Sequence, residues 1–330
     1  MDAKITKERL GQFLSYEWVK IAAVAVAVVL LWMMIFSGAA TDITAAQRFD
    51  VYNYVGTFAS QGFKNYASVS GKEVLSYEVM ESRAMNMSEY PDDYDELMLA
   101  AVTMNEIDAL FVQDVYKNET YSYTDEAGVS HNATYLETVV YKYYPNVLKI
   151  DGTDGLIHMV ESYLGRYYSN VSALTESSNF SAMNKALVEA DFRENVKKEK
   201  DKRYKTEEKI LGALEKEYAR IESYARALVE FKGYLSQGVI GVDSRAYYLR
   251  DSVGALTVDV SQASINLCVD ESKTDLTDLV YYEVEEGENT RKCSKNVHLV
   301  LFKQPKGLER FTGDQLLFVN EVVRNALVTK

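Results

Sequence analysis

One stretch limits what this chain can be. Trp18 to Phe36 reads WVKIAAVAVAVVLLWMMIF, and Ile21 to Phe36 are sixteen apolar residues without interruption. With Ser37 to Ala40 the span reaches the ~20 residues that a helix needs to cross ~30 Å of hydrocarbon. Trp18 and Trp32 lie toward its ends, where amphipathic rings suit the headgroup level. The sequence therefore predicts a cytoplasmic tail over 1–17, a transmembrane anchor over 18–40 and a large domain beyond it. Lys4, Lys7, Arg9 and Lys20 lie on the first flank, and the far flank has no basic residue before Arg48. That bias predicts a single-pass plasma-membrane protein with its C-terminal domain outside the cell. A cleaved signal peptide is the rival, with Ser37-Gly38-Ala39-Ala40 as its cutting point. Against it, the leader is long and the apolar run exceeds the ~7 to 15 residues of a signal core.

Apolar residues make up 47% of the chain, enough to build a core, and the net charge is −13. The charge argues against nucleic acid, whose affinity rests on Lys and Arg neutralising phosphates. The only cysteines are Cys268 and Cys293. Outside the cytoplasm an even count predicts a disulfide. A turn signal, Glu286-Gly287-Glu288-Asn289, lies between them, and paired strands on either side would bring the sulfurs together. Two unpaired thiols are the alternative. Asn86, Asn118, Asn132, Asn170 and Asn179 each open an Asn-x-Ser/Thr triplet, which matters only where the source glycosylates.

Along the chain the hydrophobic period changes repeatedly between two and 3.6. Arg48–Val55 and Glu73–Glu81 read as strands. A helix opens at Pro91-Asp92-Asp93-Tyr94-Asp95-Glu96 and runs to about Met104, its acidic start suiting the positive end of the helix dipole. That role explains the carboxylates without a metal. A strand over Ile107–Val112 follows, so a parallel crossover is expected. Helices are predicted over Thr134–Tyr144, stopping at Pro145, and over Thr153–Tyr168. A Ser/Asn-rich connector covers 169–183. Asn184–Ser236 reads as two or three helices. In it Leu214, Tyr218, Ile221, Ala225 and Leu228 form one apolar stripe. Two heptads are too few for a coiled coil, so the stripe is read as covering its own domain. Ala255–Val260, Ser264–Val269, Leu279–Val284 and Asn296–Phe302 read as strands, and Asp314–Leu327 as a last helix capped by Thr312. This mixture favours an α/β fold over a helical bundle.

Catalytic constellations are scarce. His131, His158 and His298 have no metal-ligand spacing, and there is no HExxH, GxSxG, phosphate-cradling loop or CxxC. No metal or cofactor is expected, and no enzyme activity is assigned. The 25 tyrosines suit ligand clefts and ordinary cores alike.

Asp95–Asp114, DELMLAAVTMNEIDALFVQD, resembles a segment of type II extracellular solute-binding proteins of ABC transporters, where a helix leads into a cleft-bound strand. GALTVDVS (254–261), NVHLVLFKQ (296–304) and the helix DQLLFVNEVVRNAL are similar to that family's returning strands and closing helix. The resemblance covers about half the chain and rests on pattern. It implies a two-lobed periplasmic-binding-protein-like ectodomain, with residues 41–116 and 241–330 as an α/β lobe and 117–240 as a mostly helical second lobe. The strands near 48–55, 73–81, 107–112, 255–260 and 296–302 would share one sheet. It further implies a Gram-positive bacterial source. The expected role is an anchored binding domain that recognises a small molecule, peptide or glycan, or that senses for a membrane complex such as a transporter. Its partners would be the bilayer, that complex and a small-molecule ligand. A structural or accessory subunit is the alternative. Candidate ligand residues sit just after strand ends, where open α/β sheets bind ligands: Tyr54, Gln113, Asp114, Tyr116 and Asp259.

Overall fold

The computed structural model describes residues 11, 20, 22–30, 32–33, 47–60, 74–116, 122–124, 130–199, 202–243, 261–287, 289–305 and 309–328. The chain divides into two compact units, Met1–Ile43 and Thr44–Lys330. In the first, residues 22–30 and 32–33 are helical, and side chains such as Val24, Val26 and Trp32 are exposed. The predicted transmembrane anchor is corrected here. Among the described residues no helix is long and apolar enough to cross a membrane. The longest described helix, Glu207–Ser236, is strongly charged. The expectations of a single-pass topology and of an anchored ectodomain fall with the anchor.

The second unit is a mixed α/β fold. Its strands are β1 (Arg48–Asn53), β2 (Phe58–Ala59), β3 (Glu81–Asn86), β4 (Ala109–Gln113), β5 (Ser122–Thr124), β6 (Ser130–Asn132), β7 (Val147–Leu148), β8 (Gly241–Val242), β9 (Ile265–Asn266), β10 (Val280–Glu286), β11 (Asn289–Cys293) and β12 (Val297–Phe302). Its helices are α1 (Tyr94–Thr103), α2 (Tyr135–Tyr143), α3 (Leu156–Leu164), α4 (Lys185–Glu199), α5 (Glu207–Ser236) and α6 (Thr312–Ala326). The main sheet runs β3-β1-β4-β12-β9-β8, with β7 also on β12. β1 pairs parallel with both β3 and β4, while β12 is antiparallel to β4. The N-terminal and C-terminal strand groups thus share one sheet, as the sequence predicts. The strand expected over 255–260 lies outside the described residues.

β4, ALFVQ, is buried at every position, as a strand covered on both faces must be. Phe111 and Ala109 face one core with Phe49, Val51 and Leu299. Leu110 and Val112 face the other with Val300 and Phe302. α1 and α2 cover this second face through Met98, Ala101, Leu136 and Val140. α3, α5 and α6 cover the first through Val160, Ile221, Leu228, Leu316 and Val319. The helical segment is therefore a layer sharing the sheet's core, and the expected second lobe is corrected. An amphipathic helix with a free apolar stripe gains more by closing on an open sheet face than by standing apart.

Local signals explain the elements. Thr134 accepts a hydrogen bond from the Glu137 N–H while the Glu137 carboxylate accepts from the Thr134 N–H, a full capping box for α2. Thr206 caps α5, with Glu207 and Glu208 in its first turn. Thr312 does not cap α6. It is the first helical residue, after Phe311. The strand expected over Glu73–Glu81 is displaced. Val74 is helical, Leu75 to Met80 are irregular with a turn at Tyr77-Glu78, and β3 begins at Glu81. The reason is side-chain chemistry: Ser76, Tyr77 and Glu78 bond to the helical layer and leave the sheet ladder to the residues that follow.

The disulfide is corrected as well, since Cys268 and Cys293 are separate buried thiols. The predicted hairpin exists, as β10 and β11 joined at Gly287, and it places Cys293 opposite Tyr282. Cys268 is just after β9, where its thiol donates to the Thr274 carbonyl at 3.1 Å. The Cys293 thiol lies 3.3 Å from the Tyr282 hydroxyl. Alkylation of denatured, unreduced protein should therefore label both cysteines. Peptide mapping that finds them linked would refute this arrangement.

Candidate binding site

The strand-end residues named from the sequence do not make one site. Tyr54 is buried, edge-on to Tyr94 and Tyr135, and burial raises its hydroxyl far above the usual range. Gln113 is buried beside it, near Gly56. Gly56 has φ +80°, and a β-carbon there would stand 2.5 Å from Gln113 Nε2, so that turn needs glycine. Tyr116 points outward, 69% exposed. Asp259 lies outside the described residues. Asp114 comes within 4.0 Å of His298 Nε2, and Ser264 Oγ lies 2.9 Å from His298 Nδ1. These residue types suggest nucleophilic catalysis, yet Ser264 is only 1% exposed and is not presented to a substrate. The contact instead joins β9, β12 and the end of β4.

A more open site lies on the helical layer. α3 is a regular helix, so His158, Met159, Ser162 and Tyr163 fall on one face, and Arg166 follows one turn later. α4 contributes Asn195 and Lys198, and the short 3₁₀ turn Glu309–Phe311 contributes Arg310. Together with Thr153 these residues line a cleft of about 560 Å³. That is the size of a small-molecule site. Among the described residues no carboxylate lines it, although the chain carries net charge −13. Arg166 is aimed by Asp191, 2.6 Å away, which also accepts the Tyr167 hydroxyl. The Arg310 guanidinium lies 4.5 Å from the Phe311 ring centre.

Behind this cleft is a second, much smaller cavity of about 20 Å³, room for one water-sized group. Asn195 and Arg310 line both spaces. The inner one is completed by Glu78, Phe192, Val196, Tyr204, Glu217 and Arg220. Glu217 and Arg220 form an ion pair inside the protein, their side chains 6% and 3% exposed. Arg220 donates through Nε at 2.9 Å and Nη2 at 2.5 Å to Glu217, and through Nη2 at 2.8 Å to the Tyr163 hydroxyl. Its guanidinium lies 5.4–5.8 Å from the ring centres of Tyr163, Tyr224 and Phe311. Burial opposes its charge, but the Glu217 carboxylate and the flanking tyrosines hold it protonated. Arg220 Nη1 is buried and has no hydrogen-bond partner.

The surroundings hold this pair rigidly. Tyr77 donates to Glu217 at 2.9 Å. Glu78 accepts from Arg203 at 2.6 Å and from Tyr204 at 3.3 Å. Tyr224 donates at 2.7 Å to Asp314, which also accepts from the Ser76 N–H and hydroxyl. Burial raises the Asp314 carboxyl and these donors pull it back. Gly313 admits the Tyr224 ring, since a β-carbon there would stand 2.4 Å from it.

Sequence reasoning missed these residues. Glu217 and Arg220 interrupt the apolar stripe of α5 on its buried side, which is the only signal they leave. No family model matches the chain, and no curated protein or solved structure matches it either.

Proposed function

We propose that this protein is a ligand-binding domain that takes a small anionic solute in the cleft between α3, α4 and the 309–311 turn. The observation that carries this reading is the cleft wall: Arg166, Lys198 and Arg310, with His158 beside them, around one concavity that has no carboxylate among its described lining residues, on an acidic protein. A concave patch of one sign concentrates oppositely charged ligands. Guanidinium groups match the geometry of carboxylate and phosphate. Thr153, Ser162 and Asn195 add neutral hydrogen-bonding groups for orientation. Two-carboxylate hydrolysis has no site in this wall. The reading keeps the solute-binding role expected from the sequence and moves it from the strand ends to the helical layer.

The test is thermal unfolding of the full chain with succinate, citrate, inorganic phosphate or neutral glycerol. At a hundredfold excess over Kd a ligand adds ~2.7 kcal/mol, a rise in Tm on the order of 5 °C. The rise should be confined to anions, shrink with added salt and vanish in Lys198→Glu/Arg310→Glu. Equal stabilisation by glycerol, no response to any anion, or an unchanged response in the charge-reversed variant would overturn the proposal.

A further inference from the structure

The wall between the two cavities is thin in sequence terms, only Asn195 and Arg310. Behind it sits a donor with nothing to donate to. Arg220 is fixed on three sides by Glu217, the Tyr163 hydroxyl and aromatic rings. Its Nη1 is buried and unpartnered in a residue lining a cavity of about 20 Å³. A buried donor left unmade is costly, so such a group marks a place where an acceptor oxygen belongs.

Resting on the anion-binding reading above, we infer that the ligand is a dicarboxylate-type anion. One carboxylate lies against the basic wall of the outer cleft, and one oxygen of the other is received by Arg220 Nη1 in the inner cavity. The size of the inner cavity selects this class. It has room for one water-sized group, which a carboxylate fills with one oxygen while carrying less bulk behind that oxygen than a tetrahedral phosphate does. Glu217 already holds Nε and Nη2, so Nη1 offers an incoming oxygen one charge-assisted hydrogen bond. The two acidic residues lining the inner cavity do not repel it strongly, because each is already engaged. Glu217 is held by Arg220 and Tyr77, and Glu78 by Arg203 and Tyr204. The charged residues lining the inner cavity balance, Arg220 and Arg310 against Glu78 and Glu217. Arg220 is then the residue that sets specificity at the buried end, and the outer arginines and Lys198 supply affinity without selectivity among anions.

Calorimetric titration of the full chain tests this, using succinate, glutarate and adipate against butyrate, pentanoate and hexanoate. At least one diacid should bind about tenfold more tightly than its equal-length monoacid, the value of one charge-assisted hydrogen bond. Arg220→Lys keeps the positive charge and removes Nη1, so it should erase that preference while monoacids still bind in the outer cleft. Because Arg220→Lys also touches a buried ion pair, Asn195→Leu provides a second variant. It puts an apolar side chain at a position lining both cavities and leaves Arg220 in place, and it too should erase the preference. Equal affinity for diacids and monoacids would overturn the inference, with water alone then filling the inner cavity. So would a preference that survives both variants. If none of the six acids binds, the inference fails, and the anion-binding reading is then decided by citrate and phosphate in the unfolding test, whereas binding without preference leaves that reading intact.

Discussion

Replacing Arg220 by alanine is expected to destabilise the protein by about 3–5 kcal/mol, the usual result of removing one partner of a buried ion pair. The Glu217 side chain is 6% exposed. Without Arg220 its carboxylate keeps only the Tyr77 hydroxyl among the donors described above. Three aromatic rings, those of Tyr163, Tyr224 and Phe311, also lose the cation beside them. The size of the loss comes from stranding a charge, and the pair itself contributes little. Arg220→Met combined with Glu217→Leu should therefore recover most of the stability, because a packed apolar pair of similar volume is close to neutral. Urea unfolding of the three proteins decides it. A single-variant loss below about 1 kcal/mol would show that water reaches Glu217 and that the helical layer is looser than the structure has it.

Stability should fall as the pH rises from about 4 to about 7, the opposite of ordinary acid denaturation. Asp50 is 3% exposed, and burial pushes its carboxyl from 3.8 up to about 6, against the pull of Arg48 and Arg83. Asp108 accepts the Asp50 N–H at 2.8 Å and the Gln304 amide. Burial raises it to about 7 despite those bonds. Both folded-state values exceed the unfolded one, so between about 4 and 7 the folded chain holds more protons than the unfolded chain. Stability is then fully present below pH 4 and is lost through this window. Carboxyls shifted the other way, Glu81, Glu207, Asp270 and Asp275, titrate below their ordinary range and leave the window undisturbed. Asp50→Asn should flatten the slope and stabilise the protein at pH 8 by on the order of 2 kcal/mol, somewhat under the ~3 that a two-unit shift allows. Denaturant midpoints at pH 4, 6 and 8 test this. A wild-type midpoint that climbs across that range would show that neither carboxyl is raised.

Short-range physics was legible in the sequence. Thr134 and Glu137 announce α2 because a capping box is satisfied within four residues. The continuous apolar run of β4 announces a strand buried on both faces. The stripe on α5 announces a helix that covers its own domain. Even the joining of distant strands was readable, because neither strand group alone had enough partners to bury both faces of a sheet. The apolar run Ile21–Phe36 was equally plain, yet among the described residues no helix is long and apolar enough to cross a membrane. Tertiary structure alone decided the rest. Ser76, Tyr77 and Glu78 alternate like strand residues, but their bonding partners Asp314, Glu217 and Arg203 lie 125 to 238 positions away. Cys268 and Cys293 sit beside different partners because β9 and the β10–β11 hairpin belong to different sheets. The cleft draws His158, Asn195 and Arg310 from three separate segments, with Arg220 of a fourth behind them. Hydrophobic period and capping act over one or two turns of chain and can be read from it. A site assembled across 150 residues is specified by which faces pack together, and that is settled only when the whole core closes.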